Sequence, residues 1–392
     1  MLRRALVAVL TIVSLLLPAV SISHSTHRLT AFGDLSSLRQ VPRAYSPERV
    51  AAAYGYTPLL TQGIDGSGET VALIEIDALD RDALQQFDAT YGLPAPTITE
   101  YEAGSHGFRK GKSVETTADV EWLHALAPGA AIQIYYVDNN QPMWSAWRAM
   151  ASGLRTAASR GVSVVSISLG TCGPDLGSAT ASSAFAELRQ RGVTVFVSSG
   201  DSGDRPGPER DCGKKIGVAY PSGDPSVVSV GGTSLQLNGD NTIAGEVGWR
   251  MSGGGRGRPM LRPIWQIAPT IPRGKYRWAP DVAFVGDPGT GLSVYFQNHW
   301  RQIGGTSMGA PAWTAAWTLV RESVRKAGGS VTEAAPVLLY RLGNSPAYGQ
   351  VFHDVTSGSN GHYRATPGWD AVTGWGTPDV AAIAAALQTA SP

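Results

Sequence analysis

Short apolar runs alternate with longer amphipathic segments along most of this chain. The apolar runs predict buried strands, and the segments with apolar positions at helical spacing predict helices. The strand runs are 69–76, 130–137, 162–170 and 193–200, and the helical segments include 81–92, 141–161 and 178–192. Strands that alternate with helices of this length are typical of βαβ units. The pattern therefore predicts an α/β fold with a mostly parallel central sheet and helices on both faces, within a single domain.

Composition narrows the class of protein. The chain has 392 residues, of which 43% are hydrophobic, so it can bury one large core. Charged residues make up only 16% and the formal net charge is +1, which argues against a nucleic-acid partner. The 47 glycines and 25 prolines favour many turns over a helical bundle.

The N-terminus has the layout of a secretory signal peptide. Two arginines precede an apolar run over 6–17, and Pro18 and small residues follow it. The run is shorter than the roughly 20 residues that a membrane-spanning helix needs. We therefore expect a cleaved signal peptide over 1–23, a secreted protein, and no membrane span after cleavage. Residues 24–43 are polar and lack periodicity, which predicts a flexible leader.

The chain has two cysteines, Cys172 and Cys212. In an exported protein an even number is compatible with one disulfide, and two separate buried thiols are the alternative. Neither cysteine belongs to a CxxC or Cys/His spacing, so thiolate-bound zinc is not expected.

A serine stands at a tightly built turn in GGTSMGAPAW, residues 304–313. Ser307 follows a predicted strand and precedes a predicted helix, so it fits either a helix cap or a nucleophile. A nucleophilic serine needs a base, and His106, in a loop before a helix, is one candidate. The other histidines occupy the leader, a helix or turn-like contexts.

A pair of carboxylates offers a second candidate base. Ser113 is a predicted N-cap for the helix in SVETTADVEWLHALAPGA, residues 113–130. Glu115 and Asp119 are four residues apart, so they share one helix face. Their mutual repulsion is relieved when they share a proton, which raises the pKa of one of them. Such a group could accept a hydroxyl proton at acidic pH, and two solvated carboxylates near a helix start are the alternative.

Three motifs in one order resemble the sedolisin family of serine-carboxyl peptidases: ExxxD before ALAPGA, SSGDSG, and GGTSMGAP. The resemblance spans roughly Tyr45 to Pro378 and implies a subtilisin-like fold in a peptidase domain over 44–392. It implies that Ser307 is the nucleophile and Glu115 its general base, with Asp119 orienting Glu115. Asp201, in SSGDSG, matches the oxyanion-hole aspartate, which must be protonated to donate a hydrogen bond.

The chain departs from the family pattern at a residue that lies outside the catalytic set. Glu75 matches a carboxylate that in some members extends the network behind the base and bonds a tryptophan. Leu169 stands at the position of that tryptophan. We therefore expect a shorter network, or a different partner for Glu75.

A C-terminal calcium loop is also implied by the resemblance, over 352–379. Asp354 and Asp370 would supply carboxylates to one structural ion, and Val355, Thr366 and Gly368 would supply backbone carbonyls. Hard oxygen ligands of this kind suit calcium better than transition metals. An ordinary turn rich in glycine and aspartate is the alternative.

The family's peptide-binding cleft is matched by SLG, residues 168–170, and SGGG, residues 252–255. Relatives are usually made with a long prodomain, whereas about twenty residues separate the predicted signal peptide from the peptidase domain here. How activity would be controlled is therefore left open.

Together these features predict a secreted, calcium-stabilised, monomeric serine-carboxyl endopeptidase that acts on polypeptides at acidic pH. A non-catalytic secreted peptide-binding protein on the same fold is the alternative. A peptidase that uses His106 as its base is a further one, and it would work best toward neutral pH.

Overall fold

The structure is a computed structural model that describes residues 29–31, 44–104, 111–138, 140–175 and 177–389. The predicted signal peptide 1–23, most of the leader 24–43, and His106 lie outside the described residues.

Strands and helices alternate through the first half of the chain, as predicted. The strands are β1 Thr30–Ala31, β2 Thr70–Glu75, β3 Thr97–Ala103, β4 Ala131–Val137, β5 Val164–Ile167, β6 Leu169–Gly170, β7 Thr194–Ser198, β8 Val228–Leu237, β9 Ile243–Gly248, β10 Gly255–Leu261, β11 Tyr276–Ala279, β12 Val282–Val285, β13 Leu292–Phe296, β14 His299–Ile303, β15 Phe352–His353 and β16 Thr377–Pro378. The helices are α1 Pro47–Ala53, α2 Thr57–Thr61, α3 Arg81–Tyr91, α4 Val114–Leu126, α5 Met143–Ser159, α6 Ser178–Gln190, α7 Glu209–Cys212, α8 Gly309–Lys326, α9 Ala335–Gly343, α10 Tyr348–Val351 and α11 Val380–Thr389.

The central sheet contains seven parallel strands in the order β12-β8-β7-β5-β2-β4-β3. An eighth strand, β9, pairs antiparallel with the far end of β8. The mostly parallel sheet predicted from the hydrophobic pattern is therefore confirmed. The predicted run 162–170 is interrupted at Ser168, because β5 ends inside the sheet and β6 leaves it to pair with β1.

Helices cover both faces of this sheet. Along β2, Val71 and Leu73 belong to one apolar core, whereas Ala72 and Ile74 belong to a second core. Since alternate residues of a strand face opposite sides, the two cores lie on the two faces. The first core contains apolar residues of α4 and α8, and the second contains those of α5 and α6. Helices on both faces were also predicted.

Helix α4 is buried along its whole length. Ser113 caps it, since its side-chain oxygen accepts hydrogen bonds from the backbone amides of Glu115 and Thr116. The cap fixes the first turn, which carries Glu115, inside the molecule. Trp122 is fully buried further along and donates its indole N–H to the backbone oxygen of Ser293 at 2.9 Å. Apolar packing at its far end therefore holds the charged first turn in place.

Cys172 and Cys212 form a disulfide. The bond joins the residue that follows Thr171, just beyond β6, to the last residue of α7. Of the two alternatives that the sequence left open, the disulfide is the one observed. Within the described parts of the chain, no helix has the length and apolarity needed to cross a bilayer.

Candidate active site

Ser307 lies on a single 3-10 turn, Thr306–Met308, between β14 and α8. Gly305, just before this turn, has a φ of 119°, which a side chain rarely tolerates. Ser307 is 1% exposed, and its position at the start of α8 points backbone amides and the helix dipole at nearby negative charge. The predicted order of strand, turn and helix is confirmed.

Three carboxyl groups are buried together beside this turn. Glu115 and Asp119 lie one turn apart on α4, and Glu75 ends β2. Their exposed fractions are 6%, 0% and 1%. Helix α4 contacts the turn that carries Ser307, and Ser168 hydrogen-bonds both Asp119 and the backbone oxygen of Ser307. The structure therefore brings together the candidate nucleophile and the carboxylates from the helix motif.

Two of these carboxyl groups, Glu75 and Asp119, hold protons more tightly than ordinary ones. Burial, followed by the charge of Glu115, raises the pKa of Glu75 to about 8. Burial, followed by the charges of Glu75 and Glu115, raises the pKa of Asp119 well above its usual range. A buried group of three acids relieves its repulsion by retaining protons. Such a cluster can accept a proton from a serine and pass it on.

Glu75 has a different partner from the one in the family pattern. Leu169 stands where a tryptophan would bond this carboxylate, and Thr116 instead donates its hydroxyl to Glu75 Oε2 at 3.0 Å. The same hydroxyl lies 3.0 Å from the backbone oxygen of Asp77. The expectation that Glu75 would bond elsewhere is therefore confirmed.

Asp201 lies just beyond β7, next to the residue that precedes Ser307. Thr306 donates both its backbone N–H and its hydroxyl to Asp201 Oδ1, each at 2.8 Å. The Gly200 amide donates to the Thr306 hydroxyl oxygen at 2.9 Å. Since Oδ1 already accepts two hydrogen bonds, Asp201 could donate to an oxyanion from its other oxygen once that oxygen is protonated.

Sequence reasoning missed three supporting side chains: Thr306, Thr116 and Ser168. The Ser168 hydroxyl donates to the backbone oxygen of Ser307 at 3.2 Å and is fully buried. Each of these residues acts through a contact between distant segments, which residue spacing does not reveal. Thr116 and Thr306 each stand next to a predicted catalytic residue in the sequence, and this position is the signal that could have identified them.

A histidine base finds no support among the described residues around Ser307. His124 lies on α4, but its Nε2 is 2.9 Å from the backbone oxygen of Pro94. Burial lowers the pKa of His124, because it disfavours the charged form of the ring.

Residues of the predicted calcium loop contact one another in two pairs. The Gly368 amide donates to Asp354 Oδ2 at 3.0 Å, and the Thr366 amide donates to Asp370 Oδ2 at 3.1 Å. Burial raises the pKa of Asp370 to about 6, against the opposing effect of its hydrogen bonds, all of which come from neutral donors. Val355, the fifth predicted ligand, directly follows Asp354. A buried carboxylate with only neutral partners fits a cation.

The donor set of this loop also fits calcium in particular. Within the described ranges, no group of three or more His, Cys, Asp or Glu side chains could hold a metal ion. A cation at this loop would therefore depend on backbone carbonyls besides its two carboxylates. Such a set contains only hard oxygen donors, which calcium prefers.

Comparison with known proteins places this arrangement in a family. The family model described as "Subtilase family" matches residues 58–376. Kumamolisin from Bacillus sp. (strain MN-32) is 34% identical, with 94% of this chain and 68% of kumamolisin covered. Sedolisin from Pseudomonas sp. (strain 101) is 28% identical, with 82% of this chain and 58% of sedolisin covered. The match thus spans 68% of the length of kumamolisin and 58% of the length of sedolisin.

A solved structure shows the same fold. Pseudomonas sedolisin, a serine-carboxyl proteinase complexed with two molecules of pseudo-iodotyrostatin, superposes with a TM-score of 0.77 at 25% identity. The match covers 89% of this chain and 99% of that chain. The subtilisin-like fold implied by the sequence resemblance is thereby confirmed.

Proposed function

The chain belongs to the sedolisin family of serine-carboxyl peptidases, and we propose that it is an endopeptidase that hydrolyses polypeptides at acidic pH. The observation that carries the proposal is the buried cluster of Glu75, Glu115 and Asp119 beside the turn of Ser307. This cluster supplies the proton acceptor that a serine nucleophile requires.

The proposed reaction proceeds through an acyl-enzyme. Ser307 Oγ attacks the scissile carbonyl carbon while Glu115 takes its proton, and Asp119 orients Glu115. The resulting oxyanion accepts hydrogen bonds from the Ser307 amide and from protonated Asp201. Glu115 then gives its proton to the leaving amine, the C–N bond breaks, and water releases the acid product by the same steps.

The acidic working range is supported by the fold as well as by the chemistry. Burial is the largest cause of a raised pKa at a set of carboxyl groups spread through the domain. A carboxyl group of this kind is neutral in the folded chain at acidic pH and needs no cation. The set comprises Glu75, Asp88, Asp119, Glu121, Asp224 and Glu246. The folded state is therefore suited to acid.

We also propose one structural calcium ion at the C-terminal loop. Asp354 and Asp370 would hold it with the backbone oxygens of Val355, Thr366 and Gly368. Bound there, calcium would neutralise the two carboxylates and tie the loop together. The residues of the catalytic proposal all lie outside this loop.

Export is the remaining part of the proposal. The signal-like sequence over 1–23 and the disulfide between Cys172 and Cys212 both suit an oxidising, extracellular compartment. We propose a secreted protein that works as a monomer. N-terminal sequencing of the chain recovered from culture medium tests export: a start after residue 21 or 23 supports it, and a retained Met1 contradicts it.

The test of function uses a denatured protein as substrate at acidic pH. The wild-type chain should release internal peptides, and Ser307→Ala should abolish their release. A peptidyl aldehyde should add covalently to wild type but not to this variant. Ser323→Ala, at a buried serine further along α8, is the matched control and should keep full activity. Peptide binding without turnover by wild type would instead indicate the non-catalytic alternative.

A further inference from the structure

One hairpin on the surface concentrates positive charge. Strand β10, the loop that follows it and the first residue of β11 make up residues 255–276, which we call the basic hairpin. It contains no aspartate or glutamate, and its cations are Arg256, Arg258, Arg262, Arg273 and Lys275. All of these except Arg262 are exposed. Since the formal net charge of the whole chain is only +1, the rest of the chain is net negative.

Three large aliphatic side chains project into water from the same hairpin. The exposed fractions of Leu261, Ile264 and Ile267 are 62%, 90% and 66%. Within the part of the chain that the structure describes, these are the three most exposed large hydrophobic side chains. Burial of such side chains against a partner is favourable, and their grouping on one segment indicates a docking surface.

The cations and the aliphatic side chains adjoin each other. Leu261 is the cross-strand partner of Tyr276. The Arg258 guanidinium and the Lys275 ammonium lie over the ring of Tyr276, at 5.0 Å and 5.3 Å from its centroid. The Arg262 amide donates to the backbone oxygen of Lys275 at 2.8 Å. The docking surface therefore combines apolar contact area with positive charge.

The loop of the basic hairpin is fixed to the domain. Gln266 is fully buried, and its side chain accepts from the Trp278 amide at 2.9 Å and donates to the Trp278 backbone oxygen at 2.6 Å. The Asn344 side chain donates to the backbone oxygen of Ile267 at 2.6 Å. These bonds hold the loop while Ile264 stays outside. A surface that is already ordered loses little conformational freedom on binding.

The charge of the basic hairpin distinguishes between possible partners. A second copy that docked through the same surface would bring like charges together, which opposes association. An acidic polymer in water would pair with the cations and leave the aliphatic side chains exposed. An anionic lipid surface satisfies both features, because its headgroups attract the cations and its apolar layer receives the aliphatic side chains.

We propose that the basic hairpin docks the folded chain onto membranes that contain anionic phospholipid. The contact is peripheral, with the aliphatic side chains at the boundary between headgroups and acyl chains. The hairpin begins at Gly255, the last residue of the SGGG segment that matches the peptide-binding cleft. Docking would therefore bring the cleft close to the lipid surface. The proposal goes beyond the proposed function and needs no catalytic activity.

Vesicle sedimentation with the full-length Ser307→Ala chain tests the docking. The probes are vesicles of phosphatidylcholine alone and vesicles of an equal mixture of phosphatidylcholine and phosphatidylglycerol. The chain should bind the mixed vesicles and not the phosphatidylcholine vesicles. The double variant Ile264→Ser, Ile267→Ser should bind the mixed vesicles about tenfold more weakly, because it loses apolar burial. Arg258→Gln, Lys275→Gln should bind about twentyfold more weakly, because each lost cation costs roughly fivefold.

The matched control carries the same kinds of substitution in another exposed segment. Ile216 is 50% exposed, and nearby Lys214 is paired with Glu209 at 3.3 Å, so this segment carries charges of both signs. Ile216→Ser, Lys214→Gln in the Ser307→Ala chain should bind the mixed vesicles as tightly as the unsubstituted Ser307→Ala chain.

Three results would overturn the proposal. The first is the absence of binding to mixed vesicles. The second is equal affinity of the isoleucine variant and the control, since contact through charge alone would indicate an acidic polymer as partner. The third is dimerisation that the isoleucine variant loses, without vesicle binding, which would indicate a second copy. A wild-type chain without peptidase activity would contradict the proposed function and leave these measurements intact.

Discussion

Breaking the disulfide between Cys172 and Cys212 should lower the free energy of unfolding by about 4 kcal/mol. The two cysteines are 40 residues apart in sequence. The chain-entropy relation for a cross-link that closes a loop of this length gives a loss of about 13 cal/mol/K in the unfolded state. At 25 °C this equals about 4 kcal/mol, which is a large part of the stability of an ordinary domain.

Urea unfolding of wild type and of the double variant Cys172→Ala, Cys212→Ala measures this difference. Because Cys172 follows β6 and Cys212 ends the helix after Asp201, the variant should also show a higher KM for peptides. The pair Ser182→Ala, Ser183→Ala, on nearby α6, controls for two small substitutions, although Ser182 bonds Asp224 and will cost some stability itself. A decrease of less than about 1 kcal/mol in the cysteine variant would refute the chain-entropy reasoning.

Three further predictions concern the pH dependence of stability, the contact between Thr306 and Asp201, and the removal of calcium. The pKa of Glu75 is raised to about 8 in the folded chain, so the folded chain keeps a proton that the unfolded chain releases above the ordinary pKa of a glutamate. As the pH rises from that ordinary pKa to about 8, the free energy of unfolding should fall by up to about 1.4 kcal/mol per pH unit. Glu75→Gln should reduce this dependence on pH in urea unfolding. Thr306→Val removes a hydrogen bond to Asp201 and should lower kcat roughly ten- to hundredfold in a steady-state assay, whereas Thr318→Val, whose hydroxyl bonds only its own helix, should not. Chelation should lower the thermal unfolding temperature and added calcium, but not magnesium, should restore it; an unchanged temperature would contradict the calcium proposal.

The strands β2, β4, β5 and β7 could be predicted from the sequence because they are buried on both faces, whereas the exposed edge strand β3 could not. Residues 70–75 and 131–137 read as continuous apolar runs for this reason, and parallel pairing follows from the helices between them. The break at Ser168 could not be predicted, since the residues on either side of it are apolar. It arises because the chain leaves the sheet there to pair with the leader, which has no periodicity of its own.

The candidate site was predictable only where its residues lie in one motif. Glu115 and Asp119 share a helix face, so their spacing alone indicates that they interact. The contact of Thr306 with Asp201 joins two segments that are far apart in sequence, and no local pattern encodes such a contact. The raised pKa of Glu75 depends on burial in the assembled core, which appears only once α4 packs over β2.

The central claim is that a carboxylate, and not a histidine, activates Ser307. The most direct test compares the pH dependence of kcat/KM for Glu115→Gln with that for the control variant Glu121→Gln. Glu121 is a buried glutamate on the same helix, and it accepts a hydrogen bond from the Tyr295 amide. The account predicts that wild type and Glu121→Gln are active in acid and inactive near neutrality. Glu115→Gln should lose roughly 10²- to 10⁴-fold at every pH. Activity that survives Glu115→Gln and rises toward neutral pH would contradict the account.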